Sequence, residues 1–210
     1  MAVEAPSPAV IAAVVLAAGN SARFGSDKRR YRVADNNDNN DGNNYDNDAP
    51  LLQRALAKPL SLAVPTYLVL KPADKQRLPA LLADYQHHPA LTITYAELAA
   101  NGMGHSLAHG IAQLPPVDGA LIVLADMPWI NRRTFEQLIA NFAPGKIIVP
   151  RYQLRDGHPV LFASDWFNEL TALSGDTGAK AIIRDHPEQV VYIDVDDEGI
   201  ARDLDRPLNE

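Results

Sequence analysis

One stretch limits the fold of this chain more than any other. Val10 to Leu16 is apolar, rich in β-branched residues and free of charge, and it runs straight into the Gly-bearing loop Ala17-Ala18-Gly19. So short a run with that composition suits a strand covered on both faces, as in a parallel sheet. The whole apolar stretch from Ala9 to Ala18 is about half of the ~20 residues that a membrane-crossing helix requires. The loop continues through Arg23 to Lys28. Backbone N–H groups and fixed cations gathered at a strand end form a cradle for a polyphosphate. The loop matches neither G-x-G-x-x-G nor G-x-x-x-x-G-K-[ST], so neither the dinucleotide fingerprint nor the P-loop applies. On the residues alone, a tight turn with surface charges is the plain alternative.

Beyond the loop, strand and helix patterns alternate. Pro50 opens a helix through about Lys58, which Pro59 is expected to end. A strand follows at Tyr67–Leu70. Leu78, Leu81, Leu82 and Tyr85 then repeat at helical spacing before a strand at Leu91–Tyr95. Asn101-Gly102-Met103-Gly104 turns into a helix carrying Leu107, Ile111 and Leu114, and the strand Gly119–Leu124 ends in Asp126-Met127-Pro128. Phe135, Leu138, Ile139 and Phe142 mark a further helix. Strands at Ile147–Val149 and Val160–Phe162, helices near Asp165–Leu173 and Ala179–Arg184, and a strand at Val190–Val195 complete the series. This alternation predicts a single Rossmann-like α/β domain over residues 10–210, its mainly parallel sheet covered by helices on both faces. In such sheets ligands bind at the carboxyl ends of the strands, which would put Gly19 and Asp126 on one edge.

Composition excludes some partners. The formal net charge of -7 argues against nucleic acid, whose affinity for proteins comes from Lys and Arg. With no cysteine, disulfides, thiolate metal sites and Cys nucleophiles are absent. No membrane segment is expected, the short lead-in at 1–9, which lacks the basic start of a secretory signal, is expected to be disordered, and a cytoplasmic location is the expectation that fits a chain without cysteine. Asp35 to Asp48 consists of seven Asn, five Asp, one Gly and one Tyr. With nothing to bury, it is expected to be a disordered insertion. Asn37, Asn39, Asp41, Gly42 and Asp48 fall at calcium-loop spacing, but flanking helices and the final Glu are missing.

L-A-A-G-x-S-x-R-F-G-x-D-K, from Leu16 to Lys28, resembles the signature of the MobA-like nucleotidyltransferases, which include the molybdenum cofactor cytidylyltransferases. Ala18, where a second Gly would stand in the guanylyltransferase branch, resembles the cytidylyltransferase branch. Further matches run through Gly102–Leu107, Leu124–Pro128, Gly157–Phe162, Gly175–Ala179 and Asp203–Pro207. The resemblance implies a Mg2+-dependent transfer of CMP from CTP to the phosphate of molybdopterin-type cofactor. The product would pass to a molybdoenzyme or its chaperone. GTP, another phosphorylated acceptor, or a non-catalytic accessory role are the alternatives.

By this resemblance, Leu16, Ala17, Ala18 and Gly19 face the nucleotide, Arg23 clamps the β- and γ-phosphates, and Lys28 meets the α-phosphate. Ser106 and Glu97 are further nucleotide candidates, although Ser106 could equally cap its helix. Gly157, His158, Pro159, Asp176 and Thr177 are the acceptor candidates. Asp126 and Asp205 are the metal candidates, two carboxylates being enough for magnesium when substrate phosphates and water complete its shell. Asp203 would point to the same side as Asp205 in an extended chain. His105 and His109, four apart, have zinc-like spacing but no third ligand in reach. The run Arg29-Arg30-Tyr31-Arg32 either balances the acidic insertion or attracts an anionic acceptor.

Overall fold

In the computed structural model, which describes residues 7–19, 24–33, 49–85 and 87–206, the opening apolar run is the strand β1 (Ile11–Leu16), buried along its whole length. The first part of the lead-in, Arg23 and the 35–48 insertion with its calcium-like spacing lie outside the described residues. β1 pairs in parallel with β2 (Thr66–Leu70) on one side and β4 (Gly119–Leu124) on the other, and β2 pairs in parallel with β3 (Leu91–Tyr95). Four strands are therefore parallel, as the buried apolar run of β1 predicts.

Two of the remaining four strands run the other way. β7 (Val160–Ala163) lies between β4 and β5 (Ile147–Tyr152) and is antiparallel to both. β5 turns through Gln153 and Leu154, both at positive φ, into the two-residue strand β6 (Arg155–Asp156), and it also pairs in parallel with β8 (Val190–Asp194). The sheet is mixed, with the order β3-β2-β1-β4-β7-β5-β6. A β5–β6 hairpin needs only two residues to turn, whereas a parallel return requires a crossover, and the short 153–159 connection leaves room only for the former.

Helices cover both faces. Ala13, Val15, Leu68 and Leu121 pack with Leu52 and Leu56 of α1 (Leu51–Ser61) and Phe135 and Leu138 of α4 (Arg132–Ala140). Val14, Val69 and Ile122 face the other way, against Leu107 and Ile111 of α3 (Met103–Ala112), Leu170 of α5 (Phe167–Thr171) and Ile182 of α6 (Lys180–Asp185). Alternate side chains of one strand thus feed two cores.

Two helix boundaries differ from expectation. α1 continues past Pro59 to Ser61. Proline removes the one N–H donor that would bond the Ala55 carbonyl, and beyond it the last turn still closes, Leu62 N–H reaching the Lys58 and Pro59 carbonyls. Conversely, the apolar spacing over 78–85 does not form one helix. A single turn, α2 (Asp74–Arg77), and a 3-10 turn at Ala83–Tyr85 flank it. Pro79 restricts Leu78 to non-helical backbone, while Leu78, Leu81 and Leu82 are buried all the same. Among the described residues, no helix is long and apolar enough to cross a membrane.

Candidate active site

The strand order reverses beside β1, with β2 on one flank and β4 on the other, so the carboxyl ends of β1 and β4 form the crevice where such sheets receive ligands. Leu16 and Leu124 are in register, and Ala125 N–H donates to the Leu16 carbonyl at 3.1 Å. Ala17 N–H is likewise committed to the sheet, donating to Val69 O at 3.0 Å. Of the amides expected to face a nucleotide, that of Ala17 is therefore used by the sheet instead. Gly19, further along, is exposed.

The loop returns in a 3-10 turn, Lys28–Arg30, capped by the Asp27 carboxylate accepting from Arg29 N–H. The turn carries the Lys28 side chain to β4, where Nζ donates to Asp126 Oδ2 at 2.7 Å. Side-chain exposures of 19% and 25% leave both groups reachable from solvent. An ion pair this accessible is worth only about 0–1 kcal/mol, so a phosphate or a cation can displace either partner.

Asp126 is held by its backbone. Lys58 of α1 donates to Pro128 O at 2.7 Å and fixes the Met127-Pro128 turn. From the other side Leu204 N–H donates to Asp126 O at 2.9 Å. Leu204 is buried in a small cluster with Phe24 of the signature loop, Val33 and Leu51, so one apolar contact seats both the loop and the C-terminal segment. Asp203 and Asp205 flank Leu204 and are exposed, as alternation along an extended segment requires. The segment is guided there by the turn Glu198–Ala201, where Asp197 accepts from Asn131 N–H, Thr134 Oγ1 and Gly199 N–H. The Arg202 guanidinium lies 3.9 Å from the centre of the Trp129 ring.

The five acceptor candidates fall in two places. His158 precedes β7, whose pairing sets Val160 opposite Ile122, so it stands beside the end of β4 near Asp126. Its N–H donates to Ile200 O at 2.9 Å, and Pro159 follows through a cis bond. Burial holds the imidazole pKa below its usual value, against a hydrogen bond with the Ile122 main chain and the charge of Asp126. Its Nδ1 is buried without a hydrogen-bond partner among the described residues. Gly157 leads into this corner, with its own N–H bonded to Pro150 O.

Asp176 and Thr177 sit instead at the start of α3, where Gly104 N–H donates to Gly175 O at 2.8 Å. Gly102 has φ +125°, and a Cβ there would meet the Gly175 carbonyl at 2.2 Å, so the two glycine loops fit only without side chains. Ser106 is buried in the first turns of α3, and Glu97 is exposed before it. Glu97 raises the pKa of His109, whose net shift is downward because of burial; His109 Nε2 lies 2.6 Å from Thr94 Oγ1. Among the described residues no three His, Cys, Asp or Glu side chains form a metal cluster.

Sequence reasoning missed Arg29. Grouped there with Arg30 and Arg32 as a run that balances the insertion or attracts an acceptor, it is buried, and its guanidinium is enclosed by Asp27, Asp74 and the Ala17 carbonyl. The signal available in sequence was an aspartate after the second strand, with no means of telling which cation it meets.

A family model described as the MobA-like NTP transferase domain matches residues 13–190. The chain is 27% identical over 200 residues to the purine catabolism protein PucB of Bacillus subtilis, covering 92% of this chain and 91% of PucB. It is 31% identical over 113 residues to nicotine blue oxidoreductase of Paenarthrobacter nicotinovorans, a match that takes in 50% of this chain and 55% of that protein. Among solved structures, Rv0371c of Mycobacterium tuberculosis H37Rv superposes with a TM-score of 0.73 at 24% identity, covering 96% of this chain and 95% of its own. Its complex with manganese matches with a TM-score of 0.65 at 22% identity, covering 90% and 89%. The chain belongs to the MobA-like NTP transferase family.

Proposed function

We propose that this chain is a Mg2+-dependent cytidylyltransferase that moves CMP from CTP to the phosphate of molybdopterin-type cofactor and releases pyrophosphate. One observation carries the transfer chemistry: Lys28 and Asp126, from loops at the ends of adjacent strands, meet at 2.7 Å in the switch-point crevice. The family match supports the nucleotide as donor, and Ala18 is the residue that favours cytidine.

The reaction needs an acceptor phosphate oxygen to attack the α-phosphorus while the bond to the bridging oxygen of the β-phosphate breaks in line. Such transfers ask the protein mainly to position groups and to neutralise charge. Ala18 and Gly19 amides supply donors to the polyphosphate. Lys28 leaves Asp126 for the α-phosphate, where an ammonium on a flexible stem matches one concentrated charge. His158, uncharged beside Asp126, borders the acceptor side.

The donor set fits a hard divalent cation. Asp126, joined by Asp205 from the adjoining segment, would hold it through carboxylate oxygens, with substrate phosphates and water completing the shell as magnesium prefers. Bound there, the cation would neutralise phosphate charge as it develops in the transfer.

Pyrophosphate release with CTP, GTP, ATP or UTP, each with Mg2+ and the cofactor, tests this reading. CTP is expected to lead. A GTP preference overturns the branch assignment, and saturable nucleotide binding without release with any of the four favours the accessory role. Asp126→Ala is expected to abolish turnover while the circular dichroism spectrum stays native; near-normal turnover removes Asp126 from the site.

A further inference from the structure

We propose that Arg29 is a positioning residue of this transfer site, fixing the turn that carries Lys28 and the peptide that presents the Ala18 amide without itself touching substrate. The inference rests on the transferase reading above and adds a residue that the signature L-A-A-G-x-S-x-R-F-G-x-D-K does not contain.

A guanidinium has five N–H donors. In Arg29 all five are used. Nε donates to Asp27 Oδ1 at 2.7 Å and Nη2 to Asp27 Oδ2 at 2.8 Å. Nη1 and Nη2 grip the Asp74 carboxylate at 2.5 and 2.9 Å, and Nη1 also donates to Ala17 O at 3.0 Å. No donor remains for a phosphate, so Arg29 acts only through what it holds.

Each contact has a consequence at the crevice. Asp27 caps the turn that begins with Lys28, so Arg29 and Asp27 lock that turn from inside. In a trans peptide, C=O and the following N–H point in opposite directions. With Ala17 C=O drawn to Arg29, the Ala18 N–H is aimed away from the guanidinium. Asp74 is the anchor: buried, at the start of α2 just beyond β2, it also accepts from Lys71 N–H at 3.2 Å. The cradle of β1 is thereby tied to the exit of the neighbouring strand. Hydrogen bonds to Asp27 and Asp74 outweigh burial and hold the guanidinium charged. Lysine, a single ammonium, can replace neither bidentate pair.

The test uses the full chain with Arg29→Lys, checked for native circular dichroism and a cooperative melt. We expect kcat with CTP to fall tenfold to a hundredfold, the scale of a displacement of about 1 Å. Pyrophosphate affinity by calorimetry should fall at least tenfold. In 15N-labelled protein, the Ala18 and Lys28 amide resonances should move away from their wild-type positions, with Val14 and Val15 unmoved; a structural defect alone would shift the strand as well. A second variant, Asp27→Asn, loosens the same turn from its more exposed side and is expected to lower kcat at least fivefold, so a poorly folding Arg29→Lys leaves the inference open to refutation. Turnover within threefold of wild type in either folded variant overturns it. If the wild-type chain turns over no nucleotide, the transferase reading fails instead, and unchanged pyrophosphate affinity in folded Arg29→Lys or Asp27→Asn then overturns the positioning role.

Discussion

Two ion pairs a residue apart differ in how firmly they hold, and burial decides which is which. Lys28–Asp126 is partly exposed and worth about 0–1 kcal/mol, an exchangeable contact suited to a site that must open for substrate. Arg29–Asp74 is buried, and removing one partner of such a pair typically costs about 3–5 kcal/mol because the other charge is stranded. The sequence shows Lys28 clearly, since it closes a spaced motif, but Arg29 stands among like charges and its partner is forty-five positions away. Burial by tertiary contact leaves no mark on such a run. His158 gives a test at this scale. Burial sets its folded pKa below the usual imidazole value near 6.5, so the unfolded chain takes up the proton first as pH falls. Its contribution to stability is complete above about pH 6.5 and is lost as pH falls from there toward the folded value. Melting temperatures between about pH 7.5 and 5.5 should therefore decline, and His158→Gln should flatten that slope.

At the level of elements, apolar spacing placed the residues of the core more reliably than it placed their backbone. Leu78, Leu81 and Leu82 are buried as their spacing implies, yet Pro79 keeps them from forming one helix. β7 was legible as a strand but not in its direction, because Val160–Phe162 reads the same way in either sense and only the short β5–β6 hairpin reverses the chain. The loop pairing at α3 was foreshadowed only as two glycine-rich motifs in one sequence. Their contact supplies a prediction: a Cβ on Gly104 would stand 2.6 Å from Thr177 O and 2.8 Å from Ser174 O. Both atoms are backbone and cannot give way as a side-chain tip can. Gly104→Ala should destabilise by about 1–3 kcal/mol in urea melts and push the Asp176-Thr177 loop off the start of α3. An unchanged melt would mean that this contact is loose.

For the whole molecule, the strand–helix alternation was readable from the sequence, as was the placing of the ends of β1 and β4 side by side on one edge of the sheet. The reversal of β6 and β7 against the other six strands was not readable there, since it depends on a seven-residue connection being read as a hairpin. The stems around the acidic insertion are tied together on their own: Arg32 bridges Pro50, Leu51 N–H donates to Tyr31 O at 2.9 Å and Arg54 to Val33 O at 3.2 Å. Replacing 35–48 with a short Gly-Ser link should therefore leave turnover within about threefold, because closing a loop changes by only about 0.6 kcal/mol for each doubling of its length. A collapse of activity would give the insertion a part in catalysis. The central claim, transfer of a cytidylyl group, is tested most directly with CTP labelled at the α-phosphorus, incubated with Mg2+ and molybdopterin-type cofactor. The account predicts label in a cofactor-linked product, in equal amount to the pyrophosphate released; label that remains in CTP, or appears only in free CMP, would contradict it.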